Sequence, residues 1–306
     1  MTDTGGSPGG YERFQLALAR IPFRVKVAAV WVVLFALLGF VANSAQFDTD
    51  WIRDNLRFIV GGLRYTLRIA VLGIALAVVL ALLGALARIS SNAIAYGMAG
   101  FYVSFFRGTP LIVQMFLIYS ALPQVGRNLD SQYTWLPDGF NQALVLDAAT
   151  AGIVALGLNY GAYMTEIFRA GIQSVAGGQG EAADALGMTY GQKMRKVVLP
   201  QAFRVIIPPT GNEFIAMMKD TALVSFLGVT AASAEIFRRS QLVGKHDFKV
   251  LEAYLAAAIV YWALTAVFTF FQARLERRIG RGYDRSHVRA MDAAQQVQPH
   301  AGGAGA

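Results

Sequence analysis

Apolar residues gather in six runs near membrane-spanning length, at about residues 26–44, 66–87, 97–120, 148–170, 203–229 and 251–272. A helix rises about 1.5 Å per residue and a bilayer core is about 30 Å thick, so about 20 apolar residues are needed to cross it. The second run is the clearest. Leu67 to Leu86 holds twelve Leu, Ile and Val, each favouring insertion by about 0.3–0.6 kcal/mol, which outweighs Arg68 near the end of the run. The fifth run differs. It carries Glu213, Lys219 and Asp220, each costing up to about 2.5–3.5 kcal/mol near mid-membrane. Pro208 and Pro209 also remove two backbone donors from its ladder. This pattern predicts a broken helix, packed inside a bundle or lining a wet cavity. The whole predicts an all-α membrane protein of about six transmembrane helices.

Composition agrees. Of 306 residues, 55% are hydrophobic and 15% charged, with a mean hydropathy of +0.45; soluble domains carry about 25% charged residues. The chain has no Cys, and His246, His287 and His300 lie outside the apolar runs, which argues against redox and zinc chemistry. No Ser/His, His/His or carboxylate pair at useful spacing lies within the runs, so the chain does not read as an enzyme. The net charge of +8 is no sign of nucleic acid, because the Lys and Arg punctuate the apolar runs as membrane topology requires. With the N-terminus inside, seventeen of them fall on the inner side and seven on the outer, which predicts both termini cytoplasmic. Residues 238–249, with four positives on the outer side, are the exception. The first run also has features of a signal peptide, with Ala42, Asn43, Ser44 and Ala45 at its end, although Val27 to Ala42 is long for one. Residues 1–10 and 290–306 lack the apolar content to fold. No strong repeat is visible, which weakens the secondary-transporter designs.

The stretch from Gln173 to Arg204 is the longest polar one on the inner side. Glu181 opens a helical turn, Gly187 interrupts it, and Thr189 with Gln192 fits a capping box that restarts a helix toward Leu199 and Pro200. Ala182, Leu186, Tyr190, Met194 and Val197 recur near helical spacing and form one semi-apolar face. Such a face suits either the inner leaflet or a protein partner.

Glu181-Ala182-Ala183, three residues, Gly187, nine residues, Val197, one residue and Leu199-Pro200 resemble the EAA loop of ABC importer permeases, with Val197 where Ile is usual. Phe106-Arg107-Gly108-Thr109-Pro110-Leu111-Ile112-Val113-Gln114, Tyr163-Met164-Thr165-Glu166-Ile167-Phe168-Arg169-Ala170-Gly171-Ile172 and Pro200-Gln201-Ala202-Phe203-Arg204 through Lys219-Asp220-Thr221-Ala222-Leu223-Val224 resemble the branch that carries polar amino acids. The resemblance covers residues 58–280. It implies a five-helix type I permease core, with the loop at 173–204, plus one extra N-terminal helix at 26–44; tails of 1–25 and 281–306 flank these.

The resemblance also implies the partners. A cytoplasmic ABC ATPase dimer would dock on the loop through Glu181, Ala182, Ala183, Gly187, Leu199 and Pro200; a second permease subunit, like or unlike, would complete the path; an extracytoplasmic amino-acid-binding protein would deliver the substrate. ATP would be bound by the partner, and the chain has no G-x-x-x-x-G-K-[ST] loop of its own. Gly73, Ala77, Ala81 and Ala85 form a small-residue face suited to close helix approach, between subunits or within one.

Ionisable groups in a span usually face a cavity or a partner, which makes Glu213, Lys219 and Asp220, with Asn212 and Gln114, the expected path. Lys219 and Asp220 fit a purely structural pairing equally. Glu166 and Arg169 fit either an i, i+3 surface pair or a gate, and Arg107, Thr109 and Pro110 mark the start or kink of the third span. The expected activity is ATP-driven import of polar amino acids of the glutamate/glutamine or basic class. An opine-like solute, or an ion-coupled secondary transporter, is the alternative.

Overall fold

The computed structural model describes residues 21–133, 140–175 and 177–280. Most of the two expected tails, residues 1–20 and 281–306, thus lies outside the described residues. The chain divides into two units, residues 1–51 and 52–306. The first holds helix α1 (Phe23–Ser44), with apolar side chains exposed around its circumference and a turn at Gln46, where φ is +50°.

After α2 (Thr49–Val60), which crosses the boundary between the units, the second contains α3 (Leu63–Ile89), α4 (Ala93–Gly108), α5 (Leu111–Phe116), a π-turn at Leu117–Ala121, α6 (Leu122–Gln132), α7 (Phe140–Ala143) and α8 (Ala148–Gln173). It continues through α9 (Gly177–Ala185), α10 (Tyr190–Lys193), a π-turn at Met194–Val198, α11 (Leu199–Asp220), two 3₁₀ turns, α12 (Ile236–His246) and α13 (Val250–Gly280). No strand occurs among the described residues. Among them, α1, α3 and α13 are long and apolar enough to cross a membrane, and α4 with the helical stretch after it adds a fourth if that bent pair is one span. Helices α8 and α11 do not pass on composition; small and polar residues dilute their apolar content.

The third run is kinked where Arg107, Thr109 and Pro110 stand: the chain turns through 108° between Gly108 and Leu111. Pro110 pushes the residue before it out of the helical region, and Thr109 is extended at φ −119°, ψ 147°. The fifth run, expected to break at Pro208-Pro209, instead continues as α-helix through both prolines to Asp220 and only then tightens into the 3₁₀ turn at Thr221–Leu227. The two prolines leave the carbonyls of Arg204 and Val205 without their ladder donors, and the helix is held beside the pair by Gln272 of α13, whose Nε2 donates to Pro208 O at 2.8 Å.

The α3–α8 pair is the most extensive helix contact. Ala77, Ala81 and Ala85 are fully buried in it. A Cβ on Gly84 would stand 2.5 Å from Thr165 Oγ1, and one on Gly157 2.5 Å from Leu76 Cδ2. The small-residue stripe of α3 is therefore used inside the subunit, where backbones approach closely and dispersion contacts accumulate. Helix α11 packs beside this pair through Ala202, Ile206 and Met217.

A second cluster, Ile59, Ile236, Ala256, Ala257 and Val260, joins α2, α12 and α13. Its polar pin is Glu235, fully buried at the N-cap of α12. Glu235 accepts hydrogen bonds from Phe237 N (2.6 Å), Arg238 N (2.6 Å) and Tyr261 OH (2.7 Å). Burial pushes its carboxyl up to about 7 in spite of these bonds. Three of the four positives at 238–249 find a use here. Arg238 Nε donates to Val229 O, Arg239 bonds Ala234 O and Phe58 O, and Lys249 lies 3.8 Å from Glu252.

Candidate functional site

The corner between α4 and α5 is stitched by one side chain. Gln114, 2% exposed, offers Nε2 to Phe106 O (2.9 Å), Thr109 O (3.0 Å) and Thr109 Oγ1 (2.7 Å). Asn159 on α8 locks the corner from the side by donating Nδ2 to Phe106 O and to Gln114 Oε1, each at 3.0 Å. Carbonyls freed by a sharp turn at membrane depth need such partners. Gln114 therefore holds the corner.

The corner, α8 and α11 line an open cavity of about 390 Å³. The corner contributes Thr109, Pro110 and Leu111, helix α8 contributes Asn159, Tyr160 and Tyr163, and α11 contributes Glu213 and Asp220. The two carboxylates are seven residues apart, two helical turns, and so share a face. Tyr160 OH donates to Asp220 Oδ2 at 2.8 Å. Glu213 has no hydrogen-bond or ion-pair partner among the described residues. Arg107 stands outside the lining, its guanidinium 5.2 Å from the Tyr163 ring centre.

Of the five residues expected to line a path, Glu213 and Asp220 meet in this cavity. Gln114 sits behind its wall, while Asn212 and Lys219 are exposed and outside the lining. Reading the sequence missed Asn159 and Tyr160, whose signal was an Asn-Tyr pair between Gly157 and Gly161 in the apolar fourth run, and named Tyr163 only as the start of a motif. Glu166 meets two cations: Arg169 on its own helix at 2.7 Å and Arg88 of α3 at 3.5 Å. Arg169 also donates to Gln173 Oε1, and Arg88 lies over Tyr96.

The loop at 173–204 forms a helix, a bend and a second helix. Gly187 sits in the left-handed region at φ +71°. Its N–H bonds Asp184 O and that of Met188 bonds Ala183 O, the paired closure of a Schellman stop. The capping box of Thr189 and Gln192 restarts the chain, and Lys193 bridges the bend to Asp184 at 2.8 Å. Ala183 is buried, Leu199 is half-buried, and Glu181, Ala182 and Pro200 are exposed. Leu186 and Tyr190 are 78% and 64% exposed. Beside Leu186 lies a concavity of about 400 Å³, lined by Ala182, Ala183, Met188 and Val197 among others.

Apolar helices, an interior corner with a polar cavity, and a helical loop with an exposed apolar face define a multi-pass membrane transport subunit. The chain belongs to the binding-protein-dependent transport system inner membrane component family, whose family model matches residues 73–281. It is similar to the L-cystine transport system permease protein TcyB of Bacillus subtilis, 39% identical over 72% of this chain and 86% of the relative. The arginine transport system permease protein ArgU of Corynebacterium glutamicum is 37% identical over 87% of this chain and 83% of its own length. The glutamine transport system permease protein GlnP of Escherichia coli K12 is 37% identical over 76% and 98%. A crystal structure of an amino acid ABC transporter with histidines superposes with a TM-score of 0.64 at 36% identity, covering 76% of this chain and 98% of that one. The protein is thus an inner-membrane amino-acid ABC permease, a transport subunit and not an enzyme.

Proposed function

We propose that this subunit carries polar amino acids, of the glutamate/glutamine or basic class, through the cavity between the α4–α5 corner, α8 and α11. The permease core at 58–280 works with five spans, α1 is an added N-terminal span, and both termini are cytoplasmic. Residues 177–198 dock in a cytoplasmic ATPase, which binds the ATP. Glu181, Ala182, Ala183 and Gly187 form the contact, and Leu199 and Pro200 pass its movement into α11, which carries Glu213 and Asp220. A second permease subunit completes the path and an extracytoplasmic binding protein delivers the amino acid.

One observation carries the coupling reading: Leu186 stands 78% exposed beside an apolar concavity in a loop held by its own caps. A rigid, exposed apolar face suits a protein groove. The tagged chain, purified in mild detergent, should bring an ATPase with it, and Leu186→Glu should lower that recovery at least five-fold at an unchanged membrane level. Equal ATPase recovery with Leu186→Glu would refute the docking assignment. Uptake that persists without ATP and collapses with an ion gradient would refute the ATP-driven reading.

A further inference from the structure

We propose that Arg64, Tyr65 and Arg68 of α3 bind the phosphate of an anionic phospholipid, whose acyl chain lies along the apolar face of the same helix. These three side chains line a concavity of about 300 Å³, with no carboxylate in its lining among the described residues. Arg64 Nη2 donates to Tyr65 OH at 2.8 Å, and its guanidinium lies over the Tyr65 ring, 4.6 Å from the centre. Arg68 follows one turn later on the face of Arg64, and both are exposed. Arg88 and Arg169 share Glu166, and Arg238 and Arg239 bond carbonyl oxygens. Arg68 makes no hydrogen bond or ion pair among the described residues. A guanidinium more than a turn inside an apolar helix is costly without a counter-ion, and no described carboxylate supplies one.

What lies beneath the pair decides the ligand. Leu72, Ala75, Val79 and Leu83 are exposed at steps of three and four, continuing the face that Arg64 and Arg68 head. Helix α3 is long and apolar enough to cross a membrane, and the rise from Leu72 to Leu83 is about 16 Å. That is about half of a 30 Å core, the depth of one leaflet. A free phosphate or an acidic protein surface would satisfy the guanidiniums and leave the stripe bare, whereas a phospholipid covers both. Arginine pairs strongly with phosphate, its stem lies along apolar surface while its head reaches the headgroups, and Tyr is at home at that depth. The charge balance also chooses among lipids. A zwitterionic headgroup brings an ammonium that two guanidiniums repel, while phosphatidylglycerol brings only its phosphate and hydroxyls.

The test puts a photoreactive side chain on the stripe of the whole transporter, this chain with its ATPase and any second permease. Leu72→p-benzoylphenylalanine is reconstituted in nanodiscs of equal parts phosphatidylcholine and phosphatidylglycerol, irradiated, and its adducts identified by mass spectrometry. Phosphatidylglycerol adducts should outnumber phosphatidylcholine adducts at least five-fold. The same side chain at Val267, exposed on α13, should show a ratio within two-fold of unity. Adding Arg64→Gln and Arg68→Gln should bring the Leu72 ratio down to the Val267 value, and Arg64→Lys with Arg68→Lys should retain an excess. Equal ratios at Leu72 and Val267 with both arginines present would overturn the site, as would an excess that survives the two Gln substitutions. Inorganic phosphate that abolishes the excess, where chloride at equal ionic strength does not, would assign the pair to a soluble anion and overturn the lipid. Adducts to a protein chain in place of lipid would show that a second copy or another subunit covers the stripe, which would also overturn it.

Discussion

Gly157 and Gly187 are both glycines in helical surroundings, and they are there for opposite reasons. At Gly157, in the α3–α8 interface, the limit is distance: a Cβ would lie 2.5 Å from Leu76 Cδ2 and 2.9 Å from Leu76 Cβ. At Gly187, in the loop at 173–204, no atom lies within 4 Å of a Cβ, and the limit is the torsion, φ +71°. The first region is shaped by what packs against it. The second is shaped by its own backbone and caps, which leaves its outer face free for a partner. Size should therefore decide what the first position tolerates, and left-handed propensity the second.

The largest effect belongs at Gly157. Leu76 Cβ is fixed to the α3 backbone, so no rotamer relieves the contact and the helices must separate. Gly157→Ala should cost about 1–3 kcal/mol as overpacking, read as a lower unfolding temperature in detergent. Gly157→Asn and Gly157→Leu should leave little folded protein in the membrane. Wild-type levels of the Leu variant would show that the interface is looser than its geometry.

The other packed cluster is open to a pH test, because Glu235 lies between the spans. Its carboxyl is at about 7 when folded against an ordinary 4.5, so the folded state holds the proton more tightly. Its contribution to stability is therefore fully present below 4.5 and is lost as pH rises to about 7, by on the order of 3 kcal/mol. Unfolding temperatures from pH 5 to 8 should fall in the unmodified protein more steeply than in Glu235→Gln. Identical slopes would remove Glu235 from the balance.

Much of this contrast was legible in the sequence. Thr189 and Gln192 announce a cap, and Gly187 a stop, because local hydrogen bonds and torsions depend on a few neighbouring residues. The cavity was only half legible. Glu213 and Asp220 stand out because a carboxylate in an apolar run demands a reason, but Asn159 and Tyr160 join them only through the α8–α11 contact, which no spacing within one helix reveals. Gln114 was drawn to the path by its polarity and belongs to the corner, since its partners are carbonyls released by Pro110. The proline pair misled for a related reason: α11 continues through it inside a packed bundle, and one of its tethers there, Gln272 on Pro208 O, comes from 64 residues away.

At Gly187 the order of tolerance should invert. Asn enters the left-handed region readily while other residues pay about 1–2 kcal/mol. Gly187→Asn should keep most transport, Gly187→Ala should lower it several-fold, and Gly187→Val should lower it further, all at normal membrane levels. Asn tolerated at 187 and refused at 157 is the sharpest form of the comparison. An Asn variant as defective as Val would mean that contact with the partner, and not the torsion, excludes side chains there.

The smallest effect should come from Thr189→Ala. Thr189 Oγ1 accepts from Gln192 N at 3.4 Å, and Gln192 Oε1 returns a bond from Thr189 N at 3.0 Å. The first bond is long and the site exposed, so the loss should fall at or below about 1 kcal/mol, the usual worth of a cap. Global stability should barely move, because the bond removed is a single long one at an exposed site. Transport should fall modestly if α10 must be formed before the ATPase closes on it, and Thr189→Ser should restore it. The decisive pair of readings is the unfolding temperature and the ATPase activity that substrate evokes. A change in the second without the first would place the cap's effect in coupling, whereas a change in both together would mean that the loop supports the bundle after all.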